Sequence, residues 1–158
     1  MNEADLRKAR TIVFRLLKYR IRSVQELKDR LKLRTIPQAA IAAVLEELTQ
    51  LNFVDDREFC RVWIQDRIRC GYGPVRIEQE LRQKGISQEL LVDSLGAFKK
   101  EIADPGAMRL LIAKRLKRYA GEDKYKIKRK LFNYLSARGF PSERIRQALE
   151  ELNVNDYQ

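Results

Sequence analysis

The chain has 158 residues, 44% of them hydrophobic and 35% charged, and its 33 Lys plus Arg against 22 Asp plus Glu leave a net charge of +11. That balance excludes a disordered polar chain and points to a polyanion or another acidic partner. His is absent and the cysteines are Cys60 and Cys70, so the commonest general base is missing, a four-ligand zinc site is out of reach, and no metal or other cofactor is expected.

The longest stretch without a charge, Thr35 to Leu45, has 11 residues, against roughly 20 for a membrane-spanning helix. Met1-Asn2-Glu3-Ala4-Asp5 carries acid where a signal peptide carries base. A cytoplasmic protein with free thiols and no membrane partner is the expectation.

In chain order, Glu3 to Tyr19 sets Leu6, Ala9, Ile12, Val13, Leu16 and Leu17 at helical spacing. Ser23, three before Glu26, forms a capping box for a second helix through Leu27 and Leu31, and Arg34-Thr35-Ile36-Pro37 leads into a third from Gln38 to Leu51. The pattern then begins again. Asp55, three before Glu58, opens Asp56 to Cys70 with Phe59, Val62, Trp63 and Cys70 on its apolar side. Ile77 and Leu81 lead through Lys84-Gly85-Ile86-Ser87 to a helix from Gln88 to Phe98. Asp104-Pro105 opens Pro105 to Tyr119 with Met108, Leu111, Ile112, Leu116 and Tyr119, and Leu131 and Leu135 lead through Arg138-Gly139-Phe140-Pro141 to Ser142 to Leu152.

A shift of 50 overlays Leu27, Leu31, Ile36, Ile41 and Leu45 on Ile77, Leu81, Ile86, Leu91 and Leu95, and a further 54 overlays these on Leu131, Leu135, Phe140, Ile145 and Leu149. Nine helices are expected, in an all-α fold of three tandem three-helix, helix-turn-helix-like repeats spanning 1–52, 53–104 and 105–158. Units near 50 residues barely support a core alone, so an elongated, curved array of stacked repeats follows. Ile36, Ile86 and Phe140 each stand five before the next matched apolar residue (Ile41, Leu91 and Ile145), the spacing of a hydrophobic staple. Thr35 stands where the later copies have glycine; a β-branched residue resists positive φ, so the first turn is expected to be longer or differently closed.

The middle repeat, with Asp55-Asp56-Arg57-Glu58-Phe59, Trp63, Arg67, Gly71-Tyr72-Gly73-Pro74-Val75-Arg76-Ile77, Glu80-Leu81 and Lys84-Gly85-Ile86, resembles the RecX family. Arg22-Ser23 with Glu26-Leu27 and Leu31, and Lys130-Leu131, Tyr134-Leu135 and Arg138-Gly139-Phe140, resemble its first and third units. The resemblance implies a non-enzymatic bacterial regulator that binds the RecA recombinase filament on DNA and restrains its ATPase, strand-exchange and coprotease activities. It implies no catalytic residues. A monomer that meets single- and double-stranded DNA electrostatically is the expectation, with an independent DNA- or RNA-binding helical-repeat protein as the alternative.

Charge concentrates in the outer repeats, with 11 cations against 6 anions in residues 1–50, 9 against 8 in 51–100 and 13 against 8 in 101–158. The densest tract is Lys114, Arg115, Lys117 and Arg118, followed by Lys124, Lys126, Lys128, Arg129 and Lys130, with Tyr119 and Tyr125 either stacking on bases or belonging to the core. A second candidate contact is Arg67, Arg69, Tyr72 and Arg76 around Gly71 and Gly73, which lack the third glycine and the lysine of a phosphate loop and read as a helix-linking turn. Arg34, Lys84 and Arg138 share one position before the turn, where the helix dipole already favours a cation; Lys84 and Arg138 join the candidate contacts. Asp55 and Asp56 read as helix caps and not metal ligands, and Trp63 as core. The second helices after the first two turns lack Arg and Lys, so general DNA contact is favoured over base reading.

Overall fold

A computed structural model describes residues 2–152 of the chain. Among the described residues there are ten helices and no strand: α1 (Glu3–Leu17), α2 (Val24–Lys32), α3 (Gln38–Gln50), α4 (Asp56–Arg69), α5 (Pro74–Gln83), α6 (Gln88–Ala97), α7 (Lys99–Ala103), α8 (Pro105–Leu116), α9 (Lys124–Ala137) and α10 (Ser142–Glu150). The nine expected helices are present, and α7 corrects the count. Its five residues bury nothing, so hydrophobic periodicity carries no sign of it.

Local polar chemistry sets the helix starts. Ser23 Oγ accepts from the Glu26 N–H at 3.2 Å while the Ser23 N–H donates to the Glu26 carboxylate at 3.3 Å, a complete capping box on α2. Asp55 accepts from the Arg57 and Glu58 N–H groups at 2.8 and 3.3 Å and caps α4. Asp104 accepts from the Gly106 N–H at 2.9 Å, one residue after the proline that opens α8. Asp56, read from sequence as a second cap of its own helix, instead accepts the Val24 N–H at 2.8 Å, at the start of α2.

The turns after α2, α5 and α9 close in one way. The N–H groups of Thr35, Gly85 and Gly139 donate three residues back at 2.9, 3.0 and 2.9 Å, and those of Ile36, Ile86 and Phe140 donate five residues back at 3.3, 3.2 and 3.2 Å. These are Schellman pairs. Thr35 therefore corrects the expected longer turn: its φ is +56°, beside +76° at Gly85 and +86° at Gly139. The two turn hydrogen bonds offset the roughly 1–2 kcal/mol that left-handed backbone costs an L-residue. At the later turns glycine is also required by space, because a Cβ on Gly85 would collide with Gln25 and one on Gly139 with Arg76.

By its contacts the chain divides into two compact units, one running to Trp63 and including Leu81–Ser94, the other comprising Ile64–Glu80 and the residues from Leu95 on. In the first unit α1, α2 and α3 pack around Ala9, Val13, Leu27, Leu31, Ile41, Val44 and Leu48. In the second, α8 and α10 pack on α9 around Met108, Ile112, Leu131, Leu135, Ile145 and Leu149. Each such side chain other than Ala9 contributes about 1.5–3 kcal/mol through burial. The repeated apolar positions are buried in all three copies except Leu95, which is half-buried. Cys70 does not join them: α4 ends at Arg69, Gly71 turns the chain at φ +75°, and the thiol is exposed. No described helix is long and apolar enough to cross a membrane.

Candidate functional site

Two equivalent junctions position the charged side chains. Within the first unit, Ser23 Oγ donates to the Lys84 carbonyl at 2.7 Å, and Lys84 Nζ donates to Glu26 Oε1 at 2.6 Å and lies 5.0 Å from the Trp63 ring centroid. Within the second unit, the Gly73 N–H donates to the Arg138 carbonyl at 2.8 Å, the Val75 N–H donates to the Gly139 carbonyl at 3.0 Å, and the Arg138 guanidinium donates to the Cys70 carbonyl at 2.7 Å. Gly73 lies 50 positions after Ser23 and Arg138 lies 54 after Lys84, the offsets that overlay the apolar pattern. Each of these turns is thus docked on the start of the second helix one repeat earlier. Lys84 and Arg138 do more than neutralise a helix end. A Cβ on Gly73 would collide with Gly139, so this glycine serves close backbone approach.

The first junction holds a charged cluster. Burial acts to raise the Glu26 carboxyl, but hydrogen bonds from Arg20 and Lys84, with their charges, outweigh it and bring it down to about 2. Burial pushes Asp56 up, its Val24 hydrogen bond acting against this and the charges of Asp55 and Glu26 adding to it. Trp63 is half-buried, stacked on Phe59 with ring centroids 5.5 Å apart, so the core reading holds in part.

At the second junction arginines and tyrosines alternate. The guanidinium carbons of Arg76, Arg138 and Arg67 lie 4.2, 4.8 and 5.6 Å from the Tyr72 centroid, and those of Arg115 and Arg138 lie 4.1 and 5.4 Å from Tyr134. Glu80 accepts from Arg67 at 2.6 Å and from Arg76 at 3.0 Å. Four guanidinium groups thus share two rings. Each cation–π contact contributes about 0.5–1 kcal/mol when exposed and fixes the plane of a group suited to bidentate phosphate binding. Arg69 stays outside this ladder, paired with Asp66 at 2.6 Å. Tyr134 is absent from the candidates that sequence reasoning supplies, although its i,i+4 spacing to Arg138 is a usable signal.

The basic tract is divided. Lys130 pairs with Glu122 at 2.7 Å and Lys126 approaches the same carboxylate at 3.6 Å, so these two candidates are partly neutralised within their own repeat. Lys130 also lies 5.0 Å from the Tyr119 centroid and Lys124 lies 5.4 Å from that of Tyr125, which is 73% exposed and no core residue. Lys114, Lys117, Arg118, Lys128 and Arg129 make no side-chain ion pair with any described residue. Asp123 caps α9 by accepting from Tyr125 and Lys126 N–H groups at 2.9 and 3.2 Å, and Lys124 and Lys126 beside it are exposed.

This arrangement of repeats is shared with known proteins. The first, second and third three-helix domains of RecX match residues 9–48, 55–95 and 107–149 in that order. The regulatory protein RecX of Prosthecochloris aestuarii is 34% identical over 156 residues, covering 98% of this chain and 100% of that protein. That of Chlorobium phaeobacteroides is 35% identical over 154 residues, covering 96% and 98%. The crystal structure of RecX from Lactobacillus salivarius has the same fold, with a TM-score of 0.82 at 22% identity over 97% of this chain and 99% of that one. With three domains in family order and relatives matched over nearly their whole length, the chain belongs to the RecX family.

Proposed function

We propose that this protein is a regulator without enzymatic activity that binds the RecA recombinase filament on DNA and restrains its ATPase, strand-exchange and coprotease activities. The observation that carries the reading is the set of cations in the last repeat, Lys114, Lys117, Arg118, Lys128 and Arg129, which meet no carboxylate among the described residues. Such charges are available to phosphates on DNA or to acidic surfaces of a filament. Membership of the RecX family supports the recombinase as the partner. Repeats spanning 1–52, 53–104 and 105–158 would then lie along the filament groove as one monomer in the cytoplasm, bridge neighbouring recombinase subunits and oppose the rearrangements that turnover requires.

Changing Lys117, Arg118, Lys128 and Arg129 to Gln tests this. Association with a RecA–DNA filament weakens, and the slope of log affinity against log salt flattens by about 0.9 for each duplex phosphate that is no longer neutralised, with helical content unchanged. Unchanged affinity and slope contradict the assignment.

The Tyr72 ladder favours a second reading, an independent DNA- or RNA-binding protein, since stacked guanidinium groups require only a phosphate backbone. Equal affinity for bare DNA and for the filament would select it.

A further inference from the structure

We propose that the groove along α1 in the first repeat is a separate nucleic-acid site that holds the phosphodiester backbone of a duplex without reading bases. The groove encloses about 710 Å³ and is lined by Arg7, Lys8, Arg15 and Arg34 together with Glu3, Ala4, Thr11 and Ile12. Its one acid is already engaged, because Glu3 lies 3.6 Å from Arg10. The four lining cations form no ion pair with any described residue. A groove of this kind carries uncompensated positive charge between low-dielectric walls, which concentrates the field on an approaching anion.

The layout selects the occupant. Arg7, Lys8 and Arg15 extend over about 12 Å of helix at ~1.5 Å per residue, the length of about three to four phosphates of one strand at ~3.4 Å each along a duplex. A lone phosphate would need donors converging on one point. An acidic protein segment would need apolar anchors for affinity, and the lining offers Ala4 and Ile12, the latter 8% exposed. No aromatic ring lines the groove, so unstacked bases find no platform there. A regularly charged duplex backbone satisfies all three conditions. The site stands on the first repeat alone and does not require the recombinase as partner.

The test uses the full chain and a fluorescent 20-base-pair duplex, with anisotropy read across a salt series. Arg7→Gln, Arg15→Gln and Arg34→Gln together lower affinity several-fold and flatten the log affinity against log salt slope by about 2.7, for three phosphate contacts. The corresponding triple Lys variant keeps the slope, and circular dichroism confirms that both remain helical. An unchanged slope in a folded triple Gln variant overturns the proposal, as does competition by polyglutamate as effective as that by unlabelled duplex. The last-repeat Gln variant in the same assay separates the two sites. Weakening in that variant alone overturns the groove and supports the tract, whereas weakening in the groove variant alone supports the groove and counts against the tract.

Discussion

Lys84 Nζ lies 2.6 Å from the Glu26 carboxylate, a pair formed by residues 58 positions apart, with the ammonium also over the Trp63 ring. The side chains are 26% and 13% exposed, and the main chain beside them is tied by the Ser23 hydroxyl to the Lys84 carbonyl. One position thus fastens a turn to an earlier helix start by side chain and backbone together. Lys84→Met is expected to destabilise the chain by about 1–3 kcal/mol, because Glu26 loses a charge-assisted hydrogen bond while its side chain is mostly removed from water. Urea denaturation measures it, and a midpoint equal to that of the unaltered chain contradicts the role given to the pair.

The same carboxylate makes stability depend on pH. Glu26 is held at about 2, below its ordinary 4.5, so its contribution is present above the ordinary value and is lost as pH falls through the folded one. Asp56 is raised, chiefly by burial, and works with the opposite sign. Between about pH 5 and pH 2 the denaturation midpoint should drop, and Glu26→Gln should flatten that drop by removing the stabilising member. Profiles that run parallel for the two proteins would exclude Glu26 as a source of the pH dependence.

Gly85→Ala and Gly139→Ala each add a Cβ to positive-φ backbone facing Gln25 or Arg76. A loss of about 1–3 kcal/mol is expected for each. Thr35→Gly should act the other way, relieving left-handed strain at φ +56° with a net gain of at most about 1 kcal/mol, since glycine also enlarges the entropy of the unfolded chain. Thermal melting of the three variants checks both the signs and their order.

The repeat is legible in the sequence because Leu27, Ile77 and Leu131, with their partners four residues on, serve the same buried face in each copy. A local pattern records such a face directly. The Thr35 turn is not legible from residue preference alone, because the Schellman bonds and the burial of Ile36 beside it hold the threonine where its own preference opposes it. Lys84 and Arg138 show their shared position in sequence but not their partners, which lie 58 and 68 residues away. No local period encodes such a distance. In the basic tract, the spacing of Glu122 to Lys126 is a readable i,i+4 signal of neutralisation, whereas Lys130 reaches Glu122 from eight residues on, because Glu122 lies outside α9, just before its Asp123 cap.

Tyr72 orients three arginines from two repeats. Tyr72→Leu should release them and weaken filament or DNA association several-fold, while Tyr72→Phe, which keeps the ring, should bind as the unaltered chain does. Binding isotherms on a RecA–DNA filament distinguish the two, and equal weakening in both variants would move the role from the ring to the hydroxyl.

The central claim is tested most directly by the DNA-dependent ATP hydrolysis of RecA filaments, measured while this protein is added well below one chain per recombinase subunit. Hydrolysis is expected to fall at these low ratios, and the fall to be relieved when Lys117, Arg118, Lys128 and Arg129 are changed to Gln. Hydrolysis that continues unchanged under saturating protein would contradict the regulatory reading.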